Sequence, residues 1–124
     1  MPVDYTFDHK NRLVIATAHG QVVLREILDY FDAVAINEAA AYGKLFDARD
    51  MDPQLSDDDM MVIGARVSAY AAYDPRGAVA AVAVTVEARD AVRRYMNFAG
   101  AKRPVQLFST LDEAREWLLA QDPA

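Results

Sequence analysis

The sequence predicts an α/β domain: a five-stranded, mostly parallel sheet with an N-terminal β-hairpin and the element order β-β-α-β-α-β-α-β-α. Three observations predict it. Val3, Tyr5 and Phe7 alternate with Asp4, Thr6 and Asp8, the two-residue period of a half-buried strand. Ala78 to Val86 is a charge-free, valine-rich run, as expected of a central strand covered on both faces. Other stretches place apolar residues three and four positions apart, the spacing of helices that pack on a sheet.

Each element has its own signals. Asp8-His9-Lys10-Asn11 is a polar turn after the first strand, and Leu13 to Ala18 follows as the second, so the two form a hairpin. Gly20 breaks the pattern. Val23 to Ala39 reads as a helix with Leu24, Ile27, Leu28, Phe31, Val34 and Ala35 on its inner face. Its start lacks a favoured cap, and Gly43 ends the segment. The third strand is Lys44 to Ala48, and Pro53 stops any extension.

Leu45 to Met60 reads as a short buried strand, a polar turn and a helix start. Ser56 caps that helix, with Asp57, Asp58 and Asp59 in the first turn, where carboxylates suit the helix dipole. Met60, Ile63, Gly64, Val67 and Ala71 make the inner face, with Gly64 expected at a close helix-to-strand approach. Asp74-Pro75-Arg76-Gly77 is a turn. After the valine-rich strand comes a helix over Ala88 to Ala99, closed by Gly100. Pro104 opens a fifth strand, Val105 to Ser109. Thr110 and Glu113 form a capping box, and Ala114, Trp117 and Leu118 face inward from the last helix.

Composition narrows the function classes. The 124 residues fit one domain, 1–124, with a core of its own. Apolar residues make up 53% and charged residues 26%, a globular balance. The net charge of -6 and pI near 4.7 argue against nucleic acid, which needs clustered cations, and against adsorption to anionic membranes. Without cysteine there is no disulfide, thiol nucleophile or cysteine metal site. The N-terminal stretch lacks a signal-peptide core. The longest uncharged apolar run is about half the ~20 residues of a membrane helix. A cytoplasmic protein with no integral membrane association is expected.

The segments LFDARDMDPQLSDDDM, AVAAVAVTVEARDAVRRYM and VQLFSTLDEAREWL, in this element order, resemble the SpoIIAA-like family, whose fold is that of STAS domains. The resemblance covers essentially the whole chain. It is carried most by the Phe46-Asp47 junction and by F-x-x-x-x-E-A-x-x-W-L at Phe108 to Leu118. STAS domains of the anti-sigma-factor antagonist type carry a phosphorylatable Ser or Thr, typically in Asp-Ser-Ser-Gly at the start of the second helix. Here Ala-Arg-Asp follows Asp47, and the first serine is Ser56, so the phosphoacceptor role does not carry over. The resemblance implies a small non-enzymatic regulatory or protein-interaction module, its protein partner unknown. The other reading is a carrier or sensor of a small apolar or lipid-like ligand, because distant relatives of this fold bind lipids. A pocket of ~300 Å3 or more separates the two.

Ligands of open α/β sheets bind at the carboxyl ends of the strands. That edge should hold His19, Asp47, Arg49, Asp50, Ser56, Thr85, Glu87 and Ser109. They read either as a pocket for a small molecule or cation, or as caps and solvated ion pairs, with Asp47 paired to Arg49 or Arg89. Arg89, Arg93, Arg94, Lys102 and Arg103 form the one basic cluster. It reads as an anion or partner patch, or as a solvated face. The acidic loop and the Lys102-Arg103 turn should lie at opposite sheet edges and polarise the domain. No nucleophile has a base near it, His19 stands alone, and no Gly-rich phosphate loop is present, so neither catalysis, metal nor cofactor is expected. Right-handed crossovers in chain order put the helices mainly on one sheet face. The apolar face opposite must be covered by the hairpin, a helix or a second copy, and a homodimer is expected.

Overall fold

The computed structural model describes residues 2–73, 77–99 and 103–121. The elements run β1 (Val3–Asp8), β2 (Leu13–Val22), α1 (Leu24–Ile36), β3 (Gly43–Pro53), α2 (Asp57–Tyr73), β4 (Val79–Val82), α3 (Val86–Ala99), β5 (Val105–Phe108) and α4 (Leu111–Leu119). The five strands lie in chain order, β1-β2-β3-β4-β5. β1 and β2 are antiparallel and every other pair is parallel. The expected class and order of elements both stand.

The hairpin turn is set by Asp8, whose carboxylate accepts from the Asn11 amide at 3.0 Å and from its side-chain nitrogen at 2.8 Å. β2 does not stop at Gly20. A bulge between Thr17 and His19 shifts its register, and Gly20 continues the strand at φ +59°. The extension pairs His19 with Asp50, Gly20 with Met51, Gln21 with Asp52 and Val22 with Pro53. The stretch after Ala48 is therefore strand rather than polar turn. Its physical reason lies in the alternation of buried Met51 with exposed Asp50 and Asp52. Pro53 closes the strand, as expected.

Two further boundaries move. β4 covers Val79–Val82 alone, because Thr85 acts as a cap: its hydroxyl accepts from the Ala88 amide at 3.1 Å and starts α3 at Val86. α1 ends at Ile36, where Glu38 turns the chain at φ +57°. Its buried stripe is Ile27, Tyr30 and Val34. Ala35, expected inside, is exposed, and Tyr30 takes the inner position. The missing hydroxyl cap is replaced by Glu26, which accepts from the Val23 amide at 2.8 Å. The caps at Ser56 and Thr110 form as expected. Ser56 Oγ accepts from Asp59 N at 3.1 Å, while Asp59 Oδ2 accepts from Ser56 N at 2.9 Å. Thr110 Oγ1 accepts from Glu113 N at 3.2 Å. Asp74 to Arg76, Gly100 and Lys102 lie outside the described residues.

The sheet has helices on both faces. β2 (Val14, Ala16), β3 (Ala48, Met51) and β4 (Ala81) pack with Tyr30, Ile63 and Val92 from α1, α2 and α3. Leu45, Ala80 and Val82 pack on the other face against Ala114 and Leu118 of α4. The two alternating residue sets of β4 thus serve two cores. Trp117 is half-buried in the second core, 5.7 Å from the Phe108 ring. With α4 over this face, the sheet no longer calls for a second chain to cover it. Among the described residues, no helix is long and apolar enough to cross a membrane.

Gly77 enters β4 at φ +106°, in the region L side chains avoid. A Cβ there would sit 2.7 Å from the Tyr42 carbonyl oxygen and 2.9 Å from that of Ala40. Gly77→Ala is expected to lower stability by ~1–3 kcal/mol in urea titration. A second expected loss, of ~1 kcal/mol, comes from Ser56→Ala, while Ser56→Asp stays near wild type.

Candidate functional site

The carboxyl edge of the sheet gathers some of the predicted residues and separates others. Asp47, near the end of the β3–β4 pairing, is 8% exposed. Arg49 lies two residues on and turns back onto it. Its Nε donates to Oδ1 at 3.0 Å and its Nη2 to Oδ2 at 2.9 Å, a two-pronged pair. The Arg49 amide adds a third bond at 3.1 Å. Burial pushes the Asp47 carboxyl up. The hydrogen bonds and charge of Arg49, with a smaller contribution from His19, outweigh it and hold the pKa below its ordinary value.

His19 Nε2 sits 3.2 Å from Asp4 Oδ2, a contact between two half-exposed side chains that sequence reasoning missed. The antiparallel pairing of Asp4 with Thr17 carries the signal for it. Asp50 is exposed beside His19. Ser56 and Thr85 serve as helix caps, and Glu87 is exposed in the first turn of α3. Ser109 Oγ is 3.3 Å from Arg89 Nη1. Among the described residues no three acidic or histidine side chains cluster as metal ligands.

The basic residues do not share one patch. Arg89 donates to the Ala83 carbonyl at 3.0 Å and so ties α3 to the end of β4. Arg94 donates to the Leu55 carbonyl at 3.1 Å and meets Asp57 and Asp90. Arg103 is buried at the opposite sheet edge, by the Ala40 carbonyl, and Arg93 is exposed. Lys102 lies outside the described residues.

A cavity of about 120 Å3 lies between the sheet and the three helices of its larger face. α1 contributes Tyr30 and Val34, α2 Ile63 and Val67, and α3 Val92 and Tyr95. Phe46 and Ala81 form the sheet side, and Leu55 reaches it from the connection after β3. Lys44 and Arg103 mark one end, where both approach the Ala40 carbonyl, at 2.6 and 3.5 Å. The wall is otherwise aliphatic and aromatic. Val34, Ile63, Val67, Val92 and Tyr95 were legible as inward residues and Tyr30 was not, and a void between core residues has no sequence signature.

Comparison with known proteins supports the fold alone. No family model and no curated protein matches the chain. A solved structure from Shewanella loihica PV-4, an uncharacterised protein of the DUF3478 family with a SpoIIAA-like fold, is similar with a TM-score of 0.63. The two share 15% sequence identity over 94% of this chain and 93% of that one. The chain thus has the SpoIIAA-like fold that its sequence resembles.

Asp47 gives the site a pH signature. Its folded pKa is depressed, so the Arg49 pair contributes stability above the unfolded value near 3.8 and loses it as pH falls through the folded pKa. Asp47→Asn is expected to be less stable than wild type at pH 7, with the gap narrowing in urea titrations below pH 4. An unchanged gap across that range counts against the pair.

Proposed function

We propose that this SpoIIAA-like domain is a non-enzymatic regulatory module that senses a small apolar ligand in its core. The supporting observation is the cavity of about 120 Å3 bounded by α1, α2, α3 and the sheet. Native interiors are close-packed, with few voids larger than a water molecule. A dry apolar cavity of ~150 Å3 takes a molecule the size of benzene. The volume here belongs with that class and falls short of the ~300 Å3 of a pocket for larger cargo. Sensing of a small molecule is therefore favoured over carriage of a long lipid.

Filling the space affects three helices at once, because each contributes to the wall. α2 is the element through which occupancy reaches the surface. Its inner residues Ile63 and Val67 line the cavity, and its outer residues Met61 and Val62 are exposed. We assign a protein partner to that outer face. The non-enzymatic reading has its own support at the carboxyl edge. Asp47 is engaged by Arg49, His19 by Asp4, and Ser56 and Thr85 by their helices. None of these arrangements is a nucleophile with a positioned base.

Toluene at ten times its Kd is expected to stabilise the protein by about 1.4 kcal/mol and to raise Tm by a few degrees. Ala91→Leu, which projects into the cavity from α3, should abolish the rise. Thermal scans with no toluene response, together with native mass spectra free of adducts, would overturn the ligand reading.

A further inference from the structure

Beyond its acidic first turn, α2 is apolar on nearly every side. Between Met60 and Tyr73 its one charged residue is Arg66. That charge is placed over the seam between α1 and α2, where Arg66 Nη1 donates to Asp32 Oδ1 of α1 at 3.0 Å. The Tyr70 hydroxyl, one helical turn further along α2, donates to the same oxygen at 3.4 Å. Among the described residues, these are the hydrogen bonds that join α1 to α2. An exposed ion pair contributes little to stability, so the position of this one asks for another reason.

The seam is also a wall of the cavity. Of the lining residues that α1 and α2 supply, all are buried except two, Phe31 and Tyr70. These two rings meet edge to face across the seam, with centroids 6.4 Å apart and planes at 85°. Tyr70 thus spans the wall: the residue lines the cavity, and its hydroxyl meets Asp32 at the exposed surface. The boundary between α2 and α3 is fastened differently. There Arg94 of α3 donates to the main-chain carbonyl of Leu55, just before α2, at 3.1 Å. Between α1 and α2 the ties run from side chain to side chain. Rotating Arg66 and Tyr70 off Asp32 parts them without breaking a helix hydrogen bond, and rotations of exposed side chains are fast.

We propose that the α1–α2 seam is the entrance through which the apolar ligand reaches the cavity, with the Phe31 and Tyr70 rings as its door and Asp32 as the latch that holds it shut. This rests on the apolar-ligand reading above and adds its route of entry. Asp32 does not line the cavity, so it makes no contact with a bound ligand. Releasing the latch raises the population of the open form, and entry and exit quicken by the same factor. Affinity, which is set by their ratio, stays as it was.

The test measures association and dissociation rates of toluene by NMR exchange on the full chain. Asp32→Ala is expected to raise both rates by about five-fold and to leave Kd unchanged. Adding about 0.5 M sodium chloride should quicken exchange in wild type, because salt screens the Asp32–Arg66 pair, and should leave the variant unaffected. The wild-type salt response is a readout that survives if the variant fails to fold. Asp4→Ala, which removes an exposed pair that does not line the cavity, is the control and should change neither rate. Four outcomes would each overturn the entrance and leave the apolar site standing: unchanged rates in Asp32→Ala, rates raised equally in Asp4→Ala, a rise confined to dissociation, or wild-type exchange indifferent to salt. Failure of toluene to bind wild type would remove the site itself, and the entrance with it.

Discussion

Two-sided burial of the sheet centre is the constraint on which the rest depends. β4 has no exposed residue, and β3 is flanked by β2 and β4 and covered above and below. Such strands leave a charge nowhere to go unless it is satisfied in place. Lys44 and Asp47, both buried on β3, illustrate the two solutions. Lys44 reaches back to the Ala40 and Tyr42 carbonyls at 2.6 and 2.8 Å, towards one end of the strand. Asp47 is enclosed by the side chain and amide of Arg49 towards the other. Arg103, the other buried charged residue among those described, lies by the Ala40 carbonyl as Lys44 does.

The same constraint accounts for the cavity. The centre of the sheet carries small residues, Ala80, Ala81 and Ala83, which let helices approach from both sides. On the larger face the approaching helices bring large rings instead, Tyr30 and Phe31 from α1 and Tyr95 from α3. Rings stand off from a small-residue floor, and Phe46 on β3 props Tyr30 at 5.7 Å. On the smaller face Ala114 of α4 meets Ala80 and Val82, and the packing closes. The two interfaces differ in composition: rings from α1 and α3 bound the cavity on the larger face, and small and aliphatic residues meet on the other.

Most of the architecture was legible from period and caps. Ser56 and Thr110 announced two helices, and β1 announced itself by alternation. The errors fell where local rules met tertiary pairing. Gly20 looked like a stop because glycine weakens a strand, yet β3 offered partners for four further residues and the bulge absorbed the change of register. Thr85 looked like strand because threonine favours it, but its hydroxyl serves α3. Tyr30 was overlooked because the expected stripe ran through Ile27, Phe31, Val34 and Ala35, whereas the inner face is rotated to include its ring. At the acidic edge the pairing of Asp47 with Arg49 was one of the expected readings, whereas the contact of His19 with Asp4 was not. Asp4 and His19 meet through strand pairing, and no spacing along the chain reports that.

The strict chain order of the five strands has a consequence for how the protein is made. Each strand pairs with the one before it, so none has to be inserted between two neighbours already joined. During synthesis the growing chain can add strands at a single advancing edge, with each helix swinging across before the next strand arrives. α4 comes last and seals Leu45, Ala80 and Val82 on the second face. Until it leaves the ribosome, those side chains remain in water. A chain in which α4 had not docked would therefore hold a sheet with one greasy face bare, a target for chaperones rather than a finished domain.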